Sequence, residues 1–175
     1  DVIHIPQILS FRPQFHEGAA ESQLAATGDL PVLAAALDRR GIRGRVSVHP
    51  RSHALHEFDL QPRACPKVSI IIPTRNASTL VRACVGALRE RSRYAPYEIV
   101  VIDHESDEPA LLDYLDQHSS QGVLRVVPYR GRFNFAEMNN RAIATTDAEL
   151  LLLLNNDVDG FSDGWLEQLV ATMQL

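Results

Sequence analysis

The chain has 175 residues, of which 45% are hydrophobic and 22% charged, a composition typical of a globular protein. Its net charge of −5 argues against a broad surface for nucleic acid or acidic membrane. No run approaches the roughly 20 apolar residues that a membrane span requires, and no basic leader precedes an apolar segment. Because the chain lacks a starting methionine, we expect it to be a piece of a longer protein.

Residues 1–66 are predicted to form a small α/β segment that ends in a linker. Apolar patterning predicts a strand, a short helix and a second strand over residues 2–11, 17–26 and 42–49. Asp29 is expected to cap a further helix, with Pro31 in its first turn and Gly41 just past its end. The stretch 50–66 contains three prolines and several polar residues, which favours a linker.

Residues 67–175 repeat one pattern of apolar strand, turn and amphipathic helix. Strands are predicted over residues 68–72, 97–102, 123–127 and 150–154, with helices that start near residues 78, 108, 135 and 162. Asn134 and Glu137 form a capping-box pattern at the start of the third of these helices. This alternation predicts an α/β fold with a mostly parallel, doubly wound sheet and helices on both faces.

Five consecutive leucines, at positions 150–154, form the last predicted strand. Because no polar residue alternates with them, we expect this strand to be buried on both faces. We also expect the sheet to be truncated, with an uncovered edge and an exposed apolar face that favour dimerisation.

Polar residues follow three of the predicted strands, and open α/β sheets bind ligands at this end of their strands. These residues are Thr74 and Asn76, then Asp103, then Asn155, Asn156 and Asp157. Each group also has a purely structural interpretation. Thr74 and Asn76 could cap the next helix, Asp103 could open a turn, and residues 155–159 could form a polar turn.

The sequence argues against several other kinds of ligand site. No G-x-G-x-x-G and no P-loop follows the first strand, which argues against dinucleotide dehydrogenases and P-loop NTPases. A phosphate ligand would therefore need another source of positive charge, and a divalent cation on Asp157 is the natural candidate. Arg130 and Arg132 could add charge, but the pattern favours a solvated loop for these two residues. The histidines at 49, 53 and 56 match no metal signature. Cys84 is expected to be a buried thiol, since it lies on the apolar face of a helix.

Five segments occur in a distinctive order. They are VSIIIPTRN (68–76), YEIVVID (97–103), FNFAEMNNR (133–141), LLLLNND (151–157) and GWLEQLV (164–170). Together they resemble inverting family 2 glycosyltransferases with the GT-A fold, most closely the bacterial branch that builds surface polysaccharides such as O-antigen and capsule. The resemblance covers residues 67–175, about the first half of such a domain. Residues 1–66 are similar to a segment that precedes this domain in large polysaccharide enzymes, and look like the tail of a preceding glycosyltransferase domain.

The resemblance implies ligands as well as a fold. The donor is a UDP-, dTDP- or GDP-sugar, the acceptor is a saccharide or a lipid-linked saccharide, and the cofactor is Mg²⁺ or Mn²⁺. The implied location is the cytoplasm, either free or peripheral at the inner membrane. Nucleic acid is not an expected partner.

The resemblance also implies site residues. Asp103 matches the carboxylate that hydrogen-bonds the base, and Asp157 matches the last acidic position of the D-x-D motif, which binds the metal, with Asp159 as a further candidate. The implied nucleotide-binding residues are Pro73, Thr74, Asn76, Asp103, Asn140, Asn155 and Asn156.

The chain departs from the family pattern at three points. Asn155 stands where the D-x-D motif has its first Asp, and Asn139 stands where many members have Arg. The catalytic base is expected downstream of Leu175. Asn155 favours an alternative, a non-catalytic nucleotide-sugar-binding or structural module of a multi-domain synthase. A sugar-phosphate nucleotidyltransferase of related fold is disfavoured, because that family's glycine-rich basic loop is absent.

Overall fold

The structure is a computed structural model that describes residues 19–50 and 52–175. Contacts divide the chain into two compact units, with the boundary between Asp59 and Leu60. The predicted strand over residues 2–11 lies outside the described residues.

The first unit contains helix α1 (Ala19–Arg39) and strands β1 (Gly44–His49) and β2 (Ser52–Leu60), and the two strands form a small sheet. The prediction of two helices was wrong, because α1 is continuous through Asp29 and contains Pro31. A proline removes one backbone donor, and the alanine-rich sequence around it has a high helix propensity.

The predicted linker was also wrong over most of its length, since β2 occupies residues 52–60. Its three prolines, Pro50, Pro62 and Pro66, flank this strand and do not interrupt it. Leu60 ends β2 and is also the first residue of the second unit, within which it contacts the last helix, α5 (Trp165–Met173). The Gln168 side chain accepts from the Leu60 N–H at 3.1 Å and donates to the Leu60 carbonyl at 3.3 Å.

The second unit alternates strands and helices in the predicted order. It contains β3 (Val68–Thr74), α2 (Ser78–Arg91), β4 (Tyr97–His104), α3 (Pro109–Ser120), β5 (Arg125–Tyr129), α4 (Phe135–Ile143), β6 (Leu150–Leu153) and α5. The four strands form one parallel sheet in the order β5-β4-β3-β6. The predicted parallel α/β sheet is therefore confirmed.

Helices cover both faces of this sheet. On one face, residues of β3 and β4 pack with α2, α3 and α5 in a large core that includes Ile70, Val85 and Leu166. On the other face, Ile71 and Ile102 pack with Met138 of α4 in a smaller core. Because β3 lies between β4 and β6, its residues are buried on both sides, and its carboxyl end lies in the middle of the sheet edge.

The leucine strand differs from the prediction. Leu150, Leu152 and Leu154 pack against the larger core, but Leu151 and Leu153 are 44% and 46% exposed. The physical reason is the place of β6 in the sheet. Among the described strands β6 pairs only with β3, at the edge of the sheet, and α4 packs over β3, β4 and β5. An all-leucine run shows that burial is favourable on both faces, but it does not show which neighbours cover them.

None of the described helices is both long and apolar enough to cross a membrane.

The two faces of β6 should differ in their contribution to stability. Leu152→Ala should lower the free energy of unfolding by about 2 kcal/mol, because it leaves a gap against the core. Leu153→Ala should cost about 0.5 kcal/mol or less, because that side chain is half exposed. Urea unfolding of the two variants measures both values, and equal losses would show that the outer face is covered.

Candidate functional site

The carboxyl ends of β6 and β3 are joined through polar side chains. The Asn156 side-chain amide donates to the Thr74 hydroxyl at 2.9 Å, and that hydroxyl donates to the Asn76 carbonyl at 3.0 Å. Thr74 is buried, so its hydroxyl needs these partners. Two of the predicted polar strand ends are thus in direct contact.

Asn76 joins the end of β3 to the loop after β4. Its Oδ1 accepts from the N–H groups of Asp107 and Glu108 at 2.9 and 3.1 Å, and its Nδ2 donates to the Asp107 carboxylate at 2.8 Å. The Asn76 N–H donates to the Ser106 hydroxyl at 2.8 Å. Its backbone has a φ of 56°, a left-handed conformation that asparagine tolerates better than most residues. These bonds make Asn76 a positioning residue for the two loops.

The N-terminus of α2 is capped by a residue from another loop. The Glu108 carboxylate accepts from the Ser78 N–H at 3.0 Å and also from the Ser78 hydroxyl. The capping interpretation of Thr74 and Asn76 was therefore wrong, since the N-cap position is Ala77 and no side chain at that position caps the helix. The hydrogen bond from the Ser78 hydroxyl is the main cause that lowers the pKa of Glu108.

Asp103 and His104 point to opposite sides of β4. Side chains alternate between the two faces of a strand. Asp103 therefore shares a face with Val101, which packs with α2 and α3. His104 shares the other face with Ile102, on the side of α4. The Asp103 carboxylate accepts from the Ser106 N–H at 3.3 Å, as the turn interpretation predicted.

A cleft of about 420 Å³ opens on the α4 side of this edge. The residues that line it are Pro73, Thr74, Arg75, His104, Phe133, Phe135, Met138, Asn155 and Asn156. Four of the predicted nucleotide-binding residues therefore meet in one cleft. Asn76, Asp103 and Asn140 are not among its lining residues, and neither are the predicted metal ligands Asp157 and Asp159.

Asp157 and Asp159 lie on an exposed turn that follows β6. Beneath this turn, the Cys84 thiol donates to the Asn155 carbonyl at 3.8 Å. Burial of Cys84 raises the pKa of its thiol to about 11, with smaller contributions from the negative charges of Asp159 and Asp157. The predicted burial of this thiol is confirmed, and it supports the turn that carries the two carboxylates.

His104 is a cleft residue that was not among the predicted site residues. It is buried, and its Nε2 donates to the Gly131 carbonyl at 2.8 Å. Its ring contacts Tyr129 edge to face, with 5.4 Å between the ring centroids. The alternation of β4 could have identified it, because that pattern places position 104 on the side opposite to Asp103.

The segment between β5 and α4 borders a second cleft of about 570 Å³. Arg130 and Arg132 line this cleft and are exposed, and neither lines the cleft at the strand ends. In α4, Asn140 is exposed, whereas Asn139 is buried and donates to the Phe135 carbonyl at 2.7 Å.

A family model described as "Glycosyl transferase family 2" matches residues 69–175 of the chain. The chain belongs to this family. The matched range coincides with the parallel sheet and its helices, and it includes both sides of the cleft.

Two curated relatives contain a segment similar to the family 2 region. The chain is 36% identical over 110 residues to "Uncharacterized protein y4gI" of Sinorhizobium fredii, and 33% identical over 112 residues to "O-antigen biosynthesis protein RfbC" of Myxococcus xanthus. These alignments cover 62% and 64% of this chain but only 12% and 9% of the relatives. The chain therefore spans about a tenth of the length of these relatives.

Among solved structures, the chain resembles the mannosyltransferase PcManGT of Pyrobaculum calidifontis, which was solved in complex with GDP-Man and Mn²⁺. The TM-score is 0.54 at 20% identity, and the match covers 86% of this chain and 43% of that chain. The predicted GT-A fold of the family 2 domain is confirmed by this similarity.

The cap formed by Glu108 should make stability depend on pH. A carboxylate whose pKa is lowered on folding stabilises the fold above its unfolded-state pKa of about 4.3, and this contribution is lost as the pH falls through the folded pKa. Glu108→Gln should therefore lower the Tm by about 4 °C at pH 7, with a difference from the wild type that shrinks once the pH falls below the unfolded-state pKa and disappears below the folded pKa.

Thermal melts followed by circular dichroism between pH 3 and 7 test this cap. Asp116→Asn is a matched control, since Asp116 is exposed on α3. A difference in Tm between Glu108→Gln and the wild type that stays constant with pH would contradict a role for the carboxylate charge.

Proposed function

We propose that this chain is the nucleotide-sugar-binding part of an inverting glycosyltransferase of cell-surface polysaccharide synthesis. The observation that carries the proposal is the cleft at the carboxyl ends of β3 and β6, in a chain of family 2. The name of the Myxococcus xanthus relative, which refers to O-antigen biosynthesis, supports the polysaccharide context.

The donor we propose is a nucleoside diphosphate sugar, with its base at Asp103. A carboxylate offers about four lone-pair sites, so Asp103 can accept from a base N–H in addition to Ser106. Asn155, Asn156 and the Thr74 hydroxyl offer donors and acceptors in the cleft for the rest of the donor. Asn76 supports the site indirectly, through the bonds that position the two loops.

A divalent cation fits this site only if the donor completes its coordination. Within residues 19–50 and 52–175, no three His, Cys, Asp or Glu side chains come together as a ready-made metal site. Mg²⁺ commonly binds one or two carboxylates together with phosphate oxygens, and Mn²⁺ accepts similar ligands, so Asp157 with the diphosphate is a suitable set. Asp159 is the second candidate carboxylate. A bound ion would stabilise the charge that develops on the departing nucleoside diphosphate.

The proposed reaction is the attack of an acceptor hydroxyl on the anomeric carbon of the donor, with inversion. The acceptor is a saccharide or a lipid-linked saccharide, and a carboxylate takes the proton of its hydroxyl as general base. No residue among the 175 matches the family's general base. We therefore propose that this chain binds the donor but does not transfer the sugar by itself.

Metal-dependent binding is the first test of the proposed function. Calorimetry of the chain with UDP and with GDP should show binding in the presence of Mn²⁺ and little without it. Asp157→Ala should weaken binding in Mn²⁺ by about 10- to 100-fold, because it removes a metal ligand. Asp116→Ala on α3 is the control and should bind like the wild type.

The same titrations distinguish a second candidate function, a non-catalytic nucleotide-sugar-binding or structural module. Asn155 favours this alternative, because an amide replaces the first carboxylate of the metal motif. Equal affinity with and without Mn²⁺, unchanged in Asp157→Ala, would support the non-catalytic module.

Transfer by the chain alone is the second test. The 175-residue chain should transfer no sugar from UDP-glucose or GDP-mannose to oligosaccharide acceptors, and mass spectrometry of the acceptors measures this transfer. Donor binding measured in the same preparation is the control, because it shows that the protein is folded and able to bind its donor. Acceptor-dependent product formation would contradict the assignment of the general base to a region outside these residues.

A further inference from the structure

Two phenylalanine rings are exposed at the cleft. Phe133 is 69% exposed and Phe135 is 46% exposed, and both line the cleft at the strand ends as well as the second cleft beside it. The rings therefore form a ridge between two concave surfaces. Exposed aromatic side chains in a cleft with convergent polar groups are typical of a ligand-binding surface.

The backbone that carries these rings is held in place on both sides. Before Phe133, the His104 ring donates to the Gly131 carbonyl at 2.8 Å, and the Tyr129 hydroxyl donates to the Arg132 carbonyl at 3.1 Å. After it, Asn134 caps α4 as predicted, and its side chain accepts from the Glu137 N–H at 3.2 Å. A ligand that stacks on the rings would therefore meet a preorganised surface, which reduces the entropy cost of binding.

The position of the rings separates them from the proposed base contact. Asp103 faces α2 and α3, whereas His104, 6.0 Å from the Phe133 ring by centroids, lies on the α4 side. A base that contacts Asp103 therefore lies toward the opposite side of the sheet edge from the two rings.

The chemistry of the cleft indicates which part of the donor contacts the rings. Asn155 and Asn156 line it and lead directly into Asp157, so the diphosphate of the proposed donor lies beside them. The rest of the lining is Thr74, Arg75 and His104, together with an apolar group that consists of Pro73, Phe133, Phe135 and Met138. Arg75 can pair with phosphate charge, whereas the apolar group cannot. The apolar group instead suits the C–H face of a sugar ring, whose hydroxyl edges can reach the nearby amides.

We propose that Phe133 and Phe135 stack on the sugar ring of the nucleotide-sugar donor and thereby determine which sugar the enzyme accepts. This inference rests on the proposed function, because it requires a nucleoside diphosphate sugar in the cleft. His104 is the positioning residue for this surface, because it fixes the loop that carries Phe133.

Calorimetry in saturating Mn²⁺ tests the proposal by comparing each nucleotide sugar with its own nucleoside diphosphate. The probes are UDP-glucose, UDP-N-acetylglucosamine, dTDP-rhamnose and GDP-mannose, with UDP, dTDP and GDP. Phe133→Ala and Phe135→Ala should each weaken binding of the preferred nucleotide sugar by about tenfold, as expected for the loss of an aromatic contact and its buried area. Binding of the matching diphosphate should change by less than about twofold.

Two further variants serve as controls. Phe133→Tyr keeps the ring and should bind like the wild type. Leu112→Ala removes an apolar side chain of similar exposure, 41%, from α3 and should affect neither ligand. All variants should keep a Tm within about 2 °C of the wild type, because the substituted side chains are exposed.

Three results would overturn the assignment of the rings. Equal losses for the sugar and the diphosphate would place the rings against the nucleoside. Unchanged affinity in both alanine variants, or a wild type that binds each diphosphate as tightly as its sugar, would show that the rings do not bind the sugar. Wild-type protein that binds none of the diphosphates would instead reject the proposed function itself, and this inference with it.

Discussion

The arrangement of the site depends on the hydrogen bonds that join the loop after β3 to the loop after β4, which we call the clamp. The Asn76 side chain accepts hydrogen bonds from two backbone N–H groups of the second loop. In return, the Glu108 carboxylate accepts a hydrogen bond from the first turn of α2. In many α/β folds the N-terminus of this helix binds phosphate, because its N–H groups and its dipole attract anions. Here that position is already occupied by a negative charge. The clamp therefore holds two strand ends together and also removes the usual phosphate site.

This arrangement explains why the proposed donor needs a cation. The chain has no glycine-rich loop, and the helix terminus that could replace one is capped by Glu108. Arg75 lines the cleft, but Arg130 and Arg132 line its neighbour. A diphosphate beside Asn155 and Asn156 would thus lack sufficient positive charge from the protein alone. In the proposed function, a divalent ion on Asp157 would supply that charge.

The sequence predicted those features that local patterns determine. Strand and helix alternation after residue 67 was sufficient for the parallel sheet, and Asn134 with Glu137 was sufficient for the cap of α4. The features it missed depend on long-range contacts. Asn76 and Asp107 are 31 residues apart, so no local pattern distinguishes a clamp from a cap or a ligand contact. Likewise, the outer face of β6 is exposed because of its place in the sheet, which its leucines do not encode.

Side chains alternate along β4, and this alternation separates two parts of the proposed site. Adjacent residues of one strand, Asp103 and His104, face opposite sides of the sheet edge. In the proposed function, the first side recognises the base and the second side, through the loop that His104 anchors, presents Phe133 to the sugar. Because these two proposed recognition elements lie on different faces and in different loops, we expect substitutions in residues 130–135 to alter sugar preference while the proposed Asp103 contact stays intact. On this proposal, a protein with this sheet edge can change the sugar it binds without a change in its nucleotide.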